Sequence, residues 1–266
     1  MPEGHTIHRL ARDLALDLRG VAVSASSPQG RFVESAAQLD GATLLRAEAF
    51  GKQLFLDWST GETLSIHLGL IGKFRRGPAE RAPSDATRLR LSSPDATTAW
   101  DLTGPMVCAL IDPVERRRIA AAIGPDPLRR WASPAEFTRR AQRKRAPIGA
   151  VLLDQSVIAG IGNVYRAEMC FLCGIDPRRG VTELTDDDLG ALWHTSVTQL
   201  RNGVRLNRIV TRVPDELGRS MLAKIPPGER LYAYKRGGDP CHRCTTPIAV
   251  VELGARSTWF CPRCQS

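Results

Sequence analysis

A possible nucleophile stands at the start of the chain, where Met1, Pro2 and Glu3 precede an apolar pattern. Once Met1 is removed, Pro2 presents a secondary amine, which can attack an electrophilic carbon and form an iminium that acts as an electron sink. Glu3 places a carboxylate beside that amine. While Met1 is attached, the Pro2 nitrogen is a tertiary amide and cannot attack. The alternative is structural, because proline is also favoured in the first turn of a helix.

Four cysteines near the other end have the spacing of a metal site. They form a C-x2-C-x16-C-x2-C array, made up of Cys241, Cys244, Cys261 and Cys264. Thiolates at this spacing can close a tetrahedral site around one zinc ion, and a closed site leaves no position for a substrate. The zinc is therefore predicted to be structural, next to a hairpin with strands over 248–253 and 257–260. His242 is expected to point outward rather than to bind the metal.

Four further residues could contact a nucleic acid. They are Lys52 in a glycine turn, Leu70 at the apolar tip of the loop 67–72, Asn163 after Gly162, and Arg256 near the hairpin tip. An apolar tip can unstack bases, and an arginine can bind a phosphate bidentately. Asn163 is also predicted to cap a helix that extends to about residue 173. Each has an ordinary alternative, because turn lysines are usually solvated and an exposed leucine is often incidental.

The elements that must position these residues differ between the two halves of the chain. Apolar residues at three- and four-residue steps, from Ile7 to Leu18, predict an amphipathic helix that Gly20 closes. Seven short, often alternating segments follow and predict a β-sandwich or a barrel-like domain. These predicted strands cover 21–26, 42–50, 53–58, 63–70, 87–91, 98–102 and 106–111.

The second half is predicted to be helical. A short helix is expected over 147–155 and a longer one within 184–205, with the Gly160–Asn163 turn between them. Two helices joined in this way can direct backbone N–H groups and a positive dipole end at a phosphate. The ordinary alternative is a helical hairpin without a ligand. The glycine- and proline-containing run 124–127 marks the expected domain boundary.

Composition and charge narrow the class of protein. The 266 residues are 42% apolar and 24% charged, as in a folded soluble protein, and no apolar run approaches the length of a membrane helix. The net charge of +9 suits a nucleic acid partner or a generally basic surface. Ten Lys or Arg residues and only two acids lie within 116–145, which could line a phosphate-binding cleft or a solvated face. Seven cysteines, an odd number, argue against a disulfide framework and for a reducing cytosol.

Together these motifs resemble one family, the formamidopyrimidine-DNA glycosylases and endonuclease VIII enzymes of bacterial base excision repair. The resemblance spans the chain. It rests on the Pro-Glu-Gly start, the Gly51-Lys52 turn, the loop 67–72, the run Gly-Pro-Asp-Pro-Leu at 124–128, the segment 158–165 and the cysteine hairpin. It implies a two-domain α+β fold, with an N-terminal helix and β-sandwich followed by a helix-two-turn-helix domain and a zinc finger. The corresponding domain bounds are 1–124, 125–235 and 236–266.

The resemblance also implies roles for single residues. Pro2 would attack C1′ of a flipped nucleotide, and Glu3 would protonate the sugar ring. Lys52 and Arg256 would contact phosphates and assist the β- and δ-elimination steps, Asn163 would bind phosphate, and Leu70 would fill the space of the extruded nucleotide. The implied enzyme is a bifunctional glycosylase and AP lyase acting on damaged double-stranded DNA. It would be a cytoplasmic monomer that flips the damaged nucleotide out of the duplex, with one structural zinc ion and no organic cofactor.

The branch of the family is indicated by two stretches. Formamidopyrimidine glycosylases carry Asp-Pro-Arg-Arg-Phe-Gly in the β-domain, whose Arg and Phe side chains act as wedges opposite the lesion. Residues 101–105 here are Asp-Leu-Thr-Gly-Pro and lack these wedge residues. Gly4 also resembles endonuclease VIII, which favours oxidised pyrimidines. His5 and Thr6 stand where that branch usually has Pro-Glu, and His5 or Thr6 is expected to take part in a proton or water network. The alternative is that His5 and His8 are surface residues of the helix. The alternatives are a glycosylase for oxidised purines and a non-catalytic zinc-finger DNA-binding protein.

Overall fold

The structure is a computed structural model that describes residues 2–95, 97–218 and 220–266. The chain divides into two compact units, one ending at Ala122 and the other extending from Ile123 to Ser266. Met1, whose removal the predicted chemistry requires, lies outside the described residues. Within the described part of the chain, no helix is both long enough and apolar enough to cross a membrane.

The first unit opens with helix α1, which extends over Gly4–Leu18 as its apolar spacing predicts. The stripe that includes Ile7, Leu14 and Leu18 is buried in the core of the unit. Gly20 follows at φ 83°, in the left-handed region where glycine carries no steric penalty. The chain can therefore turn sharply there into the first strand.

A hydrogen-bonded contact fixes α1 to the sandwich behind it. Asp17 accepts hydrogen bonds from Trp100 Nε1 (2.9 Å) and Arg76 Nε (2.7 Å). The two donors hold the pKa of the Asp17 carboxyl below its usual value against the opposing effect of burial, which is the larger single influence. The helix, and with it the N-terminus, has a defined place on the sheet.

In the described part of the first unit, eight strands form two antiparallel four-stranded sheets, so the predicted β-sandwich is confirmed. The sheet orders are β2-β3-β4-β8 and β1-β6-β7-β5. The strands are β1 (Ser24–Ser26), β2 (Leu44–Phe50), β3 (Gln53–Trp58), β4 (Thr63–His67), β5 (Lys73–Pro78), β6 (Thr87–Ser92), β7 (Thr98–Thr103) and β8 (Val107–Ile111). Their inward-facing side chains make one core with α1, in which Phe74 and Trp100 meet edge to face at 5.7 Å.

The sequence reasoning missed three elements of this unit. β5 is an edge strand with only one buried side chain, Phe74, and its exposed cations protect the edge but hide the alternation that identifies strands. Two helices, α2 (Val33–Leu39) and α3 (Pro113–Ala122), were also not predicted. α3 has no buried residue and is fixed instead through ion pairs, so it carries no apolar stripe to read.

The second unit is helical, as predicted, with one more helix than expected. Its helices are α4 (Pro134–Gln142), α5 (Ile148–Val151), α6 (Asn163–Leu172) and α7 (Asp186–Leu206). α7 begins with a capping box between Thr185 and Asp188, and Asn207 ends it in the left-handed conformation. α4 was missed because its sequence was interpreted only as part of a basic run.

Much of that basic run is neutralised by local acids. Glu136 pairs with Arg139 (2.5 Å) and Arg140 (2.6 Å) along α4, and these two hydrogen-bonded cations lower the pKa of Glu136 to about 2. Arg116 on α3 is half-buried and binds Glu48 (2.7 Å) and Asp57 (2.9 Å) on the first sheet. The count of cations in the sequence therefore overstates the free positive charge of this stretch.

The chain ends in the predicted hairpin, formed by β9 (Ala249–Glu252) and β10 (Ser257–Phe260). A small apolar core that includes Phe171, Tyr232 and Ile248 lies beneath it. Phe171 comes from α6, so the hairpin and this helix share side-chain packing. Position 163, at the start of α6, is thereby placed close to the hairpin.

Candidate active site and zinc finger

The candidate nucleophile Pro2 borders a cavity of the first unit. It is half-buried and shares with Thr6, Leu70, Ile71, Gly72 and Lys73 the lining of a space of about 470 Å³. The start of the chain and the loop 67–72, which are far apart in sequence, thus form one site. A cavity of this size can hold a group as large as a nucleotide base and sugar.

Glu3 follows Pro2 directly and turns away from solvent. It is the N-cap residue of α1 and is completely buried. Its carbonyl oxygen accepts hydrogen bonds from the N–H groups of Thr6 (2.9 Å) and Ile7 (3.4 Å). The positive end of the helix dipole favours a carboxylate at this position. Helix α1 therefore fixes both the candidate amine and the candidate carboxylate.

His5 is the second buried polar group of the same turn. Its Nε2 lies 3.3 Å from Thr6 Oγ1, and Thr6 in turn lines the cavity. Burial, with a smaller contribution from the positively charged chain terminus, lowers the pKa of His5 to about 4. The imidazole is consequently neutral near pH 7 and can exchange a proton with the Thr6 hydroxyl. This geometry supports the predicted role of the pair in a proton or water network.

The loop 67–72 is held in one shape by its backbone. The Gly69 N–H donates to His67 Nδ1 (3.2 Å), and the Gly72 N–H donates to the Leu68 carbonyl (3.0 Å). A Cβ at position 72 would lie 2.2 Å from that carbonyl oxygen, so only glycine fits. Gly69 is in the left-handed region at φ 66°. The tip residues between the two glycines therefore project from a rigid base.

Three apolar side chains are exposed at this tip, where only Leu70 was predicted. Leu70 is 60%, Ile71 77% and Met106 69% exposed. Met106 comes from the β7–β8 connection, and its N–H donates to the His67 carbonyl (2.9 Å). A Cβ on Gly69 would lie 3.0 Å from Met106 Cβ, which places the methionine directly against the loop. Met106 was not predicted as a site residue, because the stretch before it, 101–105, lacks the Arg and Phe wedge residues of the purine-specific branch.

Lys52 lies at the same end of the sandwich. It is the second residue of the two-residue turn between β2 and β3, and Gly51 precedes it at φ 55°, as a type II′ turn requires. The next residue, Gln53, pairs with His67 on β4. Burial and the nearby charge of Lys52 lower the pKa of His67, so these two side chains form one polar corner beside the loop. His67 was not predicted as a site residue.

Asn163 does not cap α6 through its side chain, as the sequence predicted. Gly162 is the N-cap residue, and Asn163 is the first residue of the helix. Its Nδ2 instead donates to the Ser257 carbonyl (3.0 Å), and its Oδ1 accepts a hydrogen bond from Arg166 Nη2. A side chain that binds the finger hairpin cannot also turn back to its own helix, which is why the prediction of an N-cap was wrong.

Arg166 joins the same helix to the hairpin turn, and the sequence reasoning did not identify it. It is completely buried and donates hydrogen bonds to the carbonyls of Gly149 (3.2 Å), Leu253 (3.2 Å), Arg256 (3.3 Å) and Ser257 (2.9 Å). A buried cation that binds carbonyl oxygens in this number holds the backbone around it. The signal was present in the sequence as a charged residue on an otherwise apolar helix face.

The turn that carries Arg256 is a tight two-residue connection. Gly254 and Ala255 have φ values of 59° and 57°, and Leu253 and Arg256 exchange backbone hydrogen bonds of 3.0 and 3.3 Å. Positive φ at both central residues is the type I′ turn of hairpins, and an alanine adopts it only at a cost. The Arg256 side chain is exposed at the tip, above a backbone that Arg166 fixes.

The four cysteines meet in one cluster beneath the hairpin. Their sulfur atoms all lie within 4.8 Å of one another, with 3.4 Å between Cys244 and Cys261 and 3.9 Å between Cys241 and Cys264. A tetrahedral zinc ion with Zn–S bonds of about 2.3 Å requires sulfur–sulfur distances of about 3.8 Å, so the donor set fits one such ion. His242 is exposed and is not part of the cluster. The predicted tetrathiolate zinc site is confirmed.

Models of known domains match three successive parts of the chain. Residues 1–103 match the formamidopyrimidine-DNA glycosylase N-terminal domain, and residues 123–215 match the helix-two-turn-helix domain of the same enzymes. Residues 238–266 match the zinc finger found in formamidopyrimidine-DNA glycosylase and isoleucyl-tRNA synthetase. Together the three matches cover most of the chain.

Two bacterial proteins are similar to this chain over most or all of its length. Endonuclease 8 1 of Mycobacterium tuberculosis (strain ATCC 25618 / H37Rv) is 41% identical over 100% of both chains. The formamidopyrimidine-DNA glycosylase of Herpetosiphon aurantiacus is 33% identical over 92% of this chain and 88% of its own.

Solved structures have the same fold at lower identity. MutM in complex with DNA containing carbocyclic 8-oxo-G superposes with a TM-score of 0.82 at 22% identity, over 100% of both chains. Lactococcus lactis Fpg in complex with DNA containing an abasic site gives a TM-score of 0.80 at 21% identity, over 99% of both chains. The fold of those proteins is the fold of this one.

Proposed function

Because this chain belongs to the formamidopyrimidine-DNA glycosylase and endonuclease VIII family, and is thus a DNA glycosylase with AP-lyase activity, we propose that Pro2 is its nucleophile. The observation that carries the proposal is the position of Pro2 on the cavity that Leu70 and Ile71 border, with the buried Glu3 next to it. We propose damaged double-stranded DNA as the substrate and the bacterial cytosol as the place of action.

In this mechanism the chemistry begins once Met1 has been removed. The lone pair of the Pro2 nitrogen attacks C1′ of a flipped nucleotide, and the N-glycosidic bond breaks, so the base leaves with its electron pair and takes up the proton that the Pro2 nitrogen releases. Glu3 donates a proton to the ring oxygen as the sugar opens. The product is an iminium between Pro2 and C1′, whose positive charge makes the C2′ hydrogen acidic.

Strand cleavage follows from that acidity. Loss of a C2′ proton expels the 3′-phosphate in a β-elimination, and a second proton loss expels the 5′-phosphate in a δ-elimination. Lys52 at the polar corner beside His67 assists the first step by binding phosphate, and Arg256 on the type I′ turn assists the second. Water then releases the enzyme from the iminium.

Binding and extrusion are assigned to the remaining predicted residues. Asn163 and the N-terminus of α6 contact a phosphate, and Leu70 enters the base stack in place of the flipped nucleotide. We extend the second role to Ile71 and Met106, since all three side chains are exposed at one rigid tip. An apolar surface of three side chains covers a larger part of the vacated space than one leucine.

The decisive experiment compares one protein before and after its N-terminus is freed. A fusion with a protease site directly before Pro2 is incubated with an abasic-site duplex and borohydride, either uncleaved or cleaved. We expect a covalent protein–DNA adduct only after cleavage, because the uncleaved form holds the nitrogen in an amide. Equal adduct formation by both forms would exclude Pro2.

A second variant separates Glu3 from the nucleophile. Glu3→Gln should lose base excision by at least a hundredfold, as expected for a general acid. It should still form an adduct on a duplex whose base is already absent, since an abasic sugar opens to its aldehyde by itself and the ring oxygen then needs no proton from Glu3. Loss of both activities together with a lowered melting temperature would instead indicate a structural role.

We propose oxidised pyrimidines as the lesions. The support is the 41% identity to a protein named endonuclease 8 and the sequence of 101–105, which lacks the wedges of the purine-specific branch. Duplexes with thymine glycol, dihydrouracil or 8-oxoguanine decide the matter in single-turnover assays. Faster excision of 8-oxoguanine would favour the alternative, a formamidopyrimidine-type enzyme for oxidised purines.

We also propose that the chain has three domains, with bounds at 1–124, 125–235 and 236–266, and that it acts as a monomer.

A further inference from the structure

An arginine that is almost completely buried lies between α7 and the finger without a counter-anion. Arg212 is 6% exposed, and its buried Nε has no hydrogen-bond partner among the described residues. Within 2–95, 97–218 and 220–266, its guanidinium makes no ion pair. Its one aromatic contact is to Tyr232, with Cζ 5.8 Å from the ring centroid. Such a cation–π contact is weak compared with an ion pair.

The acids of this neighbourhood are engaged elsewhere. Glu216 accepts a hydrogen bond from Tyr232 Oη (2.7 Å) and lies 3.7 Å from Arg243. The buried Glu168 accepts hydrogen bonds from the backbone N–H groups of Tyr232, Ala233 and Tyr234, each at 2.8 Å. Neither of these carboxylates forms an ion pair with Arg212.

Two further arginines lie on the backbone segments next to Arg212, since Arg208 precedes it by four residues and the Arg230 carbonyl accepts its N–H. Arg208 Nη2 donates to the Ala223 carbonyl (2.5 Å), and Arg230 Nε donates to the Ile225 carbonyl (3.2 Å). Both bind backbone oxygens rather than acids. Burial and the like charge of Arg208 lower the pKa of Arg230, which indicates that the two side chains are close.

The backbone holds this arginine cluster, defined by Arg208, Arg212 and Arg230, in a fixed arrangement. The N–H groups of Thr211 (2.9 Å) and Arg212 (3.2 Å) both donate to the Arg230 carbonyl. The Val213 N–H donates to Tyr232 Oη (3.3 Å), and the Tyr232 ring stacks on Phe171 at 4.7 Å. The guanidinium is thus preorganised by contacts that do not themselves use its charge.

Burial of a cation without a partner is unfavourable, because its hydration is lost and nothing replaces it. A bound anion would restore the balance. The planar fork of a guanidinium matches two oxygens of a phosphate. Such a contact contributes more to the binding free energy when the guanidinium is desolvated. The geometry and charge of the cluster therefore fit a phosphate group.

We propose that the arginine cluster binds a phosphodiester of nucleic acid through Arg212. This site lies beyond the proposed function, in which Lys52, Asn163 and Arg256 contact phosphates. The occupant is a nucleic acid rather than a phosphorylated protein because the chain is a DNA glycosylase with a net charge of +9.

The test measures the affinity for an undamaged duplex as a function of salt concentration. Each phosphate contact contributes about 0.9 to the slope of log K against log salt. We expect Arg212→Met to lower the magnitude of the slope by about 0.9 and to weaken binding. Arg201→Met, which removes the same charge from an exposed position on α7, is the matched control and should keep the slope of the wild type.

Thermal unfolding of the free protein separates this role from a structural one. Loss of an uncompensated buried charge should leave the melting temperature of Arg212→Met unchanged or raise it. Phosphate, compared with chloride at equal ionic strength, should stabilise the wild type and not the variant, because only the wild type binds it. If the methionine variant does not fold, Arg212→Lys replaces it and should keep the slope but bind DNA more weakly, since it retains the charge without the fork.

Three results would overturn the proposal. The first is a wild-type salt slope in Arg212→Met, and the second is wild-type affinity of Arg212→Lys at every salt concentration. The third is stabilisation by inorganic phosphate that depends on Arg212 while the DNA slope does not, which would assign the cluster to a small anion. Adduct formation by the wild type is measured separately, so failure of the Pro2 mechanism leaves these outcomes readable.

Discussion

Burial determines the chemical state of single residues around the N-terminus. His5 would titrate near neutral pH in water, but in the core its pKa falls to about 4, and it stays neutral throughout the range in which the enzyme would work. Thr6 links it to the Pro2 cavity. The two residues that replace Pro-Glu of the endonuclease VIII branch thus supply a neutral proton donor and acceptor in place of a charge.

The same burial makes stability depend on pH in a predictable direction. Between pH 6.5 and 4 the unfolded chain protonates His5 and the folded chain does not, so protons favour unfolding in that window. Relative to His5→Gln, the wild type should lose roughly 2 to 3 kcal/mol of unfolding free energy from pH 7 to pH 4. Urea denaturation of both proteins at the two pH values measures this difference. A constant difference would mean that His5 is protonated in the folded protein.

At the scale of elements, the connection between α6 and the β9–β10 turn decides where Arg256 is held. Arg166 binds three carbonyls of that turn, at Leu253, Arg256 and Ser257, and Asn163 binds the last of them as well. The position of an exposed phosphate-binding side chain thus depends on a buried arginine nearly a hundred residues away in sequence.

Removal of this link should loosen the turn without removing the metal. Arg166→Leu removes the hydrogen bonds that a charged donor makes to four carbonyls, at a cost of about 3 kcal/mol or more. We expect faster hydrogen exchange at 253–257, with one zinc ion per chain retained. Arg178→Leu is the matched control, because Arg178 is an exposed arginine paired with Asp176 and stacked over Phe260. Unchanged exchange in Arg166→Leu would show that the turn holds its own shape.

At the scale of the whole molecule, the β-sandwich and the finger depend on different sources of stability. The first has a large apolar core between two sheets and α1, whereas the small core below the hairpin consists of few side chains and includes two of the zinc ligands, Cys241 and Cys261. Small domains of this kind usually fold only with their metal.

Chelation of zinc should therefore affect only one part of the chain. We expect the finger to become susceptible to proteolysis after chelation while the β-sandwich stays resistant. Cys244→Ser should lower the zinc content below one ion per chain. Cys108→Ser, at a half-buried cysteine on β8 outside the cluster, should keep it. Loss of zinc without increased proteolysis of the finger would contradict a structural role for the ion.

Local patterns in the sequence were sufficient for much of the molecule. The stripe from Ile7 to Leu18, the alternation in the central strands and the cysteine spacing each depend on neighbours within a few positions, so the α+β fold and the zinc ligands could be predicted. The elements that were not predicted are α2, α3, α4 and β5, which are short or highly charged. Two of them leave no apolar periodicity in the sequence, because α3 is held by ion pairs and β5 lies at the edge of its sheet.

The sequence by itself determined the types of residue available for chemistry: a proline next to a glutamate at the terminus, a lysine and an arginine in tight turns, and four thiols. Only the tertiary structure decided which of them meet. It brought Pro2 to Leu70, placed Met106 against the same loop, turned Asn163 from its own helix to the hairpin, and left Arg212 buried without an ion pair. The reason is that contacts between distant segments, and the desolvation they cause, depend on how whole elements pack.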